Sequence, residues 1–153
     1  SRLAAGETVA LVSDAGTPLI SDPVYKLVRE AAQAGIAVIA IPGPSATLAA
    51  LAVAGLPTDR FLFAGFLAPR GGARRAALQP LAGVEATLVF FESARRLAGS
   101  LADMAAILGP RPAAIARELT KRYEEIRRGR LDELAGPRVA TILVRCKRLI
   151  GHL

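Results

Sequence analysis

The chain has 153 residues, of which 52% are hydrophobic and 22% charged, so it can bury a core and is not a disordered tail. Its 20 Lys and Arg residues outnumber 13 Asp and Glu residues, and the net charge of +7 favours an anionic partner such as nucleic acid. The chain has one cysteine, Cys146, and one histidine, His152, so an internal disulfide is impossible and we expect no metal centre. No apolar run reaches the roughly 18 residues of a membrane span. We therefore expect a cytoplasmic protein.

The first third of the chain alternates strand and helix signals. Residues 8–12 (TVALV) and 37–41 (AVIAI) are apolar and rich in β-branched side chains, which is typical of buried parallel strands. Between them, residues 24–34 have apolar side chains at helical spacing, and Gly35 can end that helix. Residues 46–54 have the composition of a second helix. This order predicts a right-handed βαβ unit followed by a helix.

The remainder of the chain repeats the alternation. Strands are predicted at 60–66, 87–91, 113–116 and 139–144. Between them we expect a glycine-rich basic loop at 67–75, a helix at 94–108 with Ser93 as N-cap, a basic stretch at 122–130 and a helical turn at 131–135.

The fold class that follows is mixed α/β, organised as two α/β lobes. The Gly55 and Pro57 pair interrupts the chain after the second helix, so we predict a first lobe over residues 1–58 and a second over 59–153.

Two loops are good candidates for a binding site. SDAGTPLISDP, residues 13–23, and PGPS, residues 42–45, each follow a predicted strand and precede a helix. Ligands of open α/β sheets bind beyond the carboxyl ends of the strands, and Gly16 and Gly43 allow close backbone approach. Neither a Walker lysine nor a G-x-G-x-x-G pattern is present in the sequence. The pattern alone is equally typical of two tight turns.

The motifs LVSDAGTPLISDP, IPGPSA, DRFLFAGFL, TLVFFES and ARELTK, in this order, resemble the tetrapyrrole-methylase superfamily over residues 6–134. The resemblance is greatest to those members that methylate ribosomal RNA. It implies two αβα lobes with a cleft between them that holds S-adenosylmethionine. It also implies methyl transfer to a ribose 2′-hydroxyl of a cytidine in the 16S RNA of the small subunit, by a homodimer.

The resemblance implies a set of cofactor contacts from both lobes. They are Asp14, Ala15, Gly16, Thr17, Pro18, Ser45, Ala46, Phe91 and Leu119. Ile20 is a further candidate, because a sulfonium cation that carries an adenosine also needs apolar walls.

Candidate RNA contacts follow from the charge. They are Arg70, Arg74, Arg75, Arg95, Arg96, Arg122, Arg127 and Arg128, any of which is otherwise a solvated surface residue.

A ribose hydroxyl has a high pKa, so its methylation gains from a base and from in-line positioning. Glu92, Glu118 and Lys121 are the candidates, although each has a structural alternative: a charge at a helix start, an ion-pair partner and a phosphate contact.

Three departures from the family pattern affect the interpretation. The family has a further βα segment before the residues matched here, so we expect an incomplete first lobe and a site that lacks some of its residues. Val24 stands where the family has glycine, and the tail after Gly136 does not follow the family pattern. Two alternatives therefore remain, a methyltransferase acting on a corrin or porphyrin and an inactive fragment or binding module of the same fold.

Overall fold

The computed structural model describes residues 2–13, 16–20 and 24–134, together with the backbone of 141–144. Two compact units are present, Ser1–Ser45 and Ala46–Leu153. The division precedes the second helix, whereas the sequence predicts a lobe boundary at residue 58. The helix belongs with the second unit because its small apolar side chains pack against the sheet of that unit. The lobes of the whole protein stay a prediction.

The described residues of the first unit contain one α-helix, α1 (Tyr25–Gln33), preceded by a 3₁₀ turn at Leu3–Ala5. Gly35 follows α1 with φ of 71°, and the amide of Ile36 donates to the Ala31 carbonyl, which confirms the predicted helix stop. Val24 has φ of −77°, so a β-branched residue is accommodated there without a left-handed backbone.

The predicted strands at 8–12 and 37–41 are wrong for the described part of the first unit, where no residue is assigned to a strand. Val12, Ile39 and Ile41 are 85%, 81% and 79% exposed. Apolar β-branched composition favours extended backbone, but a strand also needs a hydrogen-bonded neighbour and a covered face, and neither segment has them here.

The second unit contains a five-stranded sheet and three α-helices in the described ranges. In chain order its elements are α2 (Ala46–Ala54), β1 (Phe61–Phe66), α3 (Gly71–Leu78), β2 (Thr87–Phe91), α4 (Leu97–Leu108), β3 (Pro112–Arg117), β4 (Glu125–Arg130) and β5 (Thr141–Val144).

The strands of the sheet follow the order β1-β2-β5-β3-β4. β1 and β2 are parallel, while β5 lies between β2 and β3 and is antiparallel to both. β1, β2 and β3 therefore run in the same direction, and their carboxyl ends lie along one edge of the sheet, which we call the carboxyl edge. The predicted strands at 60–66, 87–91 and 113–116 are confirmed within a residue or two.

Helices cover both faces of the sheet, because successive side chains of a strand point to opposite faces. Leu88 and Phe90 of β2 pack with Leu101 and Met104 of α4 and with Leu78 of α3. Val89 points the other way.

The opposite face carries α2. Ala50, Leu51 and Ala54 pack there with Val89 and with alanines of β3. Ala54 and Gly55 share a groove with Pro112 and Ala113, so α2 ends near the start of β3. Its N-terminus is consequently directed toward the carboxyl edge.

Three local predictions need correction. The basic loop at 67–75 is wrong from Gly71 onward, where α3 begins, because the fully buried Leu78 anchors a helical turn. Ser93 is not an N-cap, since α4 starts at Leu97 and residues 93–96 form a turn. The stretch 122–130 contains β4, which pairs antiparallel with β3 along its whole length.

Candidate functional site

The two motif loops of the first unit are joined at a single carbonyl. The backbone amide of Thr17 donates to the Pro44 carbonyl at 3.0 Å, and the Thr17 hydroxyl donates to the same oxygen at 3.1 Å. Gly16 has φ of 75°, and a Cβ there would lie 3.4 Å from that oxygen. The structure therefore brings together the segments around residues 16–17 and 42–44, as the predicted binding site requires.

The other cofactor candidates of the first unit are close neighbours of Thr17 and Pro44 along the chain. Pro18 and Ser45 are half-buried, and Ile20 is 52% exposed, so an apolar side chain is available to a ligand. Leu19 has φ of 76°, a left-handed conformation that is uncommon for a residue with a branched side chain and is frequent at functional sites. Asp14 and Ala15 lie outside the described residues.

The second unit presents an aromatic group at the carboxyl edge. The ring of Phe91 lies 4.9 Å from that of Phe63 and 5.5 Å from that of Phe66, both in edge-to-face geometry. Phe91 is half-buried, and Phe66 is 59% exposed. Of these rings only Phe91 was among the predicted contacts. The signal for the others is three phenylalanines in the six residues of β1, with a bulge at Gly65 that displaces Phe66 in register.

The loop after β3 holds three candidates on a strained backbone. Glu118 and Thr120 have φ of 46° and 64°, in the left-handed region. Leu119 packs beside Ala116 and the α2 face, and the exposed carboxylate of Glu118 lies 3.4 Å from Nζ of Lys121. Strain of this kind persists only where surrounding contacts hold it, and it is often found next to functional groups.

The contacts of Glu92, in contrast, indicate that this residue stabilises the fold. Its carboxylate is fully buried and accepts hydrogen bonds from the Ser93 amide and the Ser100 hydroxyl, each at 2.7 Å. Arg96 forms an ion pair with it at 2.7 Å and also donates to the Leu67 carbonyl. The carboxylate thus joins the end of β2 to α4 and has no exposed oxygen for a substrate proton.

Two arginines predicted to bind RNA form ion pairs with α4, one of them buried and one exposed. Arg74 is buried and its guanidinium contacts the Asp103 carboxylate at 2.6 Å, and Arg75 contacts the other carboxylate oxygen at 3.1 Å. Burial raises the pKa of Asp103, but the hydrogen bonds and charges of the two guanidinium groups outweigh it and hold that pKa below its ordinary value. Arg74 is therefore part of the α3–α4 interface.

The remaining basic candidates differ in their partners. Arg128 donates to the Ala54 and Val53 carbonyls and so satisfies the last turn of α2. Arg70, Arg95, Arg122 and Arg127 are exposed, and among the described residues none of them has a carboxylate partner.

Ala46 is exposed at the first position of α2, the end directed toward the carboxyl edge. Across the described ranges, no group of three Asp, Glu, His or Cys residues is arranged to hold a metal ion. None of the helices in those ranges combines the length and apolar character that a bilayer crossing requires.

Comparison with solved structures defines the class of fold. The chain aligns with the methyltransferase CobJ at a TM-score of 0.69 and 23% identity, covering 98% of this chain and 70% of that one. It aligns with a uroporphyrin-III C-methyltransferase from Thermus thermophilus, complexed with S-adenosyl homocysteine, at a TM-score of 0.53 and 23% identity, covering 85% and 62%. The chain has the mixed α/β fold of these proteins.

Sequence comparison identifies the family. The model of the tetrapyrrole (corrin/porphyrin) methylases matches residues 1–135, and the chain belongs to this family. It is 60% identical over 136 residues to ribosomal RNA small subunit methyltransferase I of Mesorhizobium japonicum, covering 88% of this chain and 46% of the relative. It is 57% identical over 131 residues to the protein of that name from Mycobacterium tuberculosis, covering 85% and 46%. The chain spans about half the length of the curated relatives it matches.

Proposed function

We propose that this protein is an S-adenosylmethionine-dependent methyltransferase that methylates a ribose 2′-hydroxyl of a cytidine in 16S ribosomal RNA. The observation that carries the proposal is the junction at Pro44, which unites the two family motifs in one loop pair. The identity of 53–60% to relatives named as small-subunit RNA methyltransferases supports the RNA substrate. We further propose the small ribosomal subunit as partner, a homodimer as the assembly and the cytoplasm as the location.

The donor atoms at the junction suit the cofactor. S-adenosylmethionine supplies an electrophilic methyl group on a sulfonium cation, which favours oxygen acceptors and apolar walls. The Thr17 hydroxyl donates its hydrogen bond to the Pro44 carbonyl, so the lone pairs of its oxygen stay available to accept hydrogen bonds. Ile20 offers an exposed apolar side chain, and Gly16, which has no Cβ, leaves the backbone of its left-handed turn open to close approach by a ligand. Ala46, Phe91 and Leu119 of the second unit stay proposed cofactor contacts.

The attacking hydroxyl must lose its proton as the new O–C bond forms and the S–C bond breaks. Glu118 is our candidate to accept that proton, because its side chain is 44% exposed at the carboxyl edge. Lys121, beside it, is proposed to hold the substrate phosphate. Glu92 is set aside as a base, since its oxygens are occupied by Ser93, Ser100 and Arg96.

The test incubates the protein with labelled S-adenosylmethionine and either small ribosomal subunits that lack the modification or a porphyrinogen. We expect label in RNA, recovered as 2′-O-methylcytidine after nuclease digestion, and none in the tetrapyrrole. Label in the porphyrinogen alone would overturn the assignment.

A pair of variants tests the role of the base. Glu118→Gln should slow transfer about a hundred-fold, which is the lower range for general base catalysis, and leave cofactor affinity unchanged. Glu133→Gln, at another exposed glutamate, should behave as wild type. Equal rates for the two variants would remove Glu118 from the mechanism.

A further inference from the structure

The turn between β3 and β4 is closed by three hydrogen bonds of its own. The amide of Thr120 donates to the Glu124 carboxylate at 2.6 Å. The amide of Lys121 donates to the Glu118 carbonyl at 2.9 Å, and that of Glu124 to the Lys121 carbonyl at 3.1 Å. A turn fixed in this way loses little conformational entropy when it binds a ligand.

This turn presents an aromatic ring to solvent. Tyr123 is 66% exposed, and the guanidinium of Arg122 lies over its ring, 5.6 Å from the centroid. The neighbouring carboxylates are engaged elsewhere: Glu118 with Lys121, Glu124 with the Thr120 amide, and Glu125 with Arg117. Within the described ranges Arg122 has no carboxylate partner, so its charge is available to an anion.

An exposed ring beside an uncompensated guanidinium matches the chemistry of an unpaired nucleotide. Proteins recognise single-stranded RNA by stacking its bases on aromatic side chains and on arginine, while cationic groups contact the phosphates. The turn lies directly after the carboxyl edge, next to the proposed base Glu118. The net charge of +7 attracts a polyanion such as RNA and repels a protein surface that has few acidic residues, so we take RNA as the partner.

We infer that Tyr123 and Arg122 form a stacking platform for an unpaired nucleotide that flanks the methylated residue. The inference rests on the proposed function for the identity of the RNA. In it, Tyr123 is a positioning residue: it holds the strand so that the neighbouring ribose reaches the site, and it takes no part in proton or methyl transfer.

The chain contains its own control for this platform. Tyr25 is 55% exposed, with the Arg29 guanidinium 5.9 Å from its ring centroid, so the two pairs are similar in composition and exposure. Tyr25 and Arg29 are one turn apart on α1, where such a contact is an ordinary feature of a helix surface. The proposal assigns no RNA contact to that pair.

Intrinsic fluorescence distinguishes the two tyrosines, because the chain has no tryptophan and two tyrosines. The Tyr25→Phe variant leaves Tyr123 as the emitter, and Tyr123→Phe leaves Tyr25. A short single-stranded oligocytidylate should quench the Tyr123 fluorescence of the Tyr25→Phe variant, because a base would stack on that ring. The Tyr25 fluorescence of the Tyr123→Phe variant should fall no more than light absorption by the added RNA explains. Equal quenching of both variants would overturn the platform.

Affinity and its salt dependence separate stacking from charge. Tyr123→Leu should weaken oligocytidylate binding about ten-fold with an unchanged salt slope, and Tyr123→Phe should restore the affinity. Arg122→Gln should reduce the salt slope by about 0.7, while Arg29→Gln should leave it unchanged. Wild-type affinity in Tyr123→Leu would refute the inference.

The outcomes for platform and function are distinguishable. Methylation of ribosomal subunits without quenching of Tyr123 would remove the platform and keep the proposed function. Quenching without methylation would keep the platform and remove the function.

Discussion

Replacing Glu92 by glutamine tests whether this carboxylate is structural, as its contacts indicate. The carboxylate accepts hydrogen bonds from the Ser93 amide and the Ser100 hydroxyl, and it forms an ion pair with Arg96. An amide of the same shape keeps one acceptor and turns an NH₂ group toward donors. Hydrogen bonds to a charged group contribute about 1.5–3 kcal/mol each, and Arg96 is 30% exposed and partly regains water.

We therefore expect Glu92→Gln to lower the free energy of unfolding by about 3 kcal/mol. For a chain of this length that corresponds to a decrease of about 6–12 °C in the unfolding midpoint. Circular dichroism during heating measures it, with the exposed Glu85→Gln as the control, expected within about 0.5 kcal/mol of wild type. An unchanged midpoint in Glu92→Gln, together with loss of methyl transfer, would refute the structural role and restore Glu92 as a catalytic candidate.

Two further stability predictions follow from the ion pairs. Asp103→Asn should destabilise the protein by about 3 kcal/mol at pH 7, because it leaves Arg74 buried without its counter-charge. The fold lowers the pKa of Asp103, so the stability difference between Asp103→Asn and wild type should be complete above the ordinary pKa of 3.8. It should vanish as the pH falls through the lowered pKa, where wild-type Asp103 becomes protonated. A stability difference that stays constant in acid titrations of unfolding would contradict this prediction. Arg128→Met should cost about 1 kcal/mol by exposing the carbonyls that end α2. Arg127→Met, on the same strand, should be neutral, and equal losses in urea unfolding would refute this role.

Elements with strong local signals were predictable from the sequence. The apolar strand at 87–91 and the alanine-rich helix at 46–54 have the predicted bounds. β4 was missed because its sequence, EIRRGR, is that of a charged edge strand. Its register comes from pairing with β3, and such a pairing cannot be read from local composition.

The candidate site was predictable where a local motif defines it. It was not predictable where the burial of a side chain depends on a residue far away along the chain. The junction of the two motif loops was predictable because glycine and proline follow an apolar segment in each loop, although neither segment forms a strand in the described residues. The burial of Arg74 depends on Asp103, which is 29 residues further along the chain. A local pattern therefore cannot distinguish this arginine from the exposed Arg70. Glu92 likewise depends on Ser100, a residue with no motif of its own.

The measurement that tests the central claim most directly is calorimetric titration of the protein with S-adenosylmethionine. We predict saturable binding that Thr17→Val weakens about ten-fold, since the variant loses the hydroxyl acceptor and the side-chain hydrogen bond to Pro44, while the backbone bond from the Thr17 amide remains. Thr8→Val, at an exposed threonine of the same unit, should bind as wild type does. No heat of binding, or equal affinities in the two variants, would contradict the assignment of the paired loops as the cofactor site.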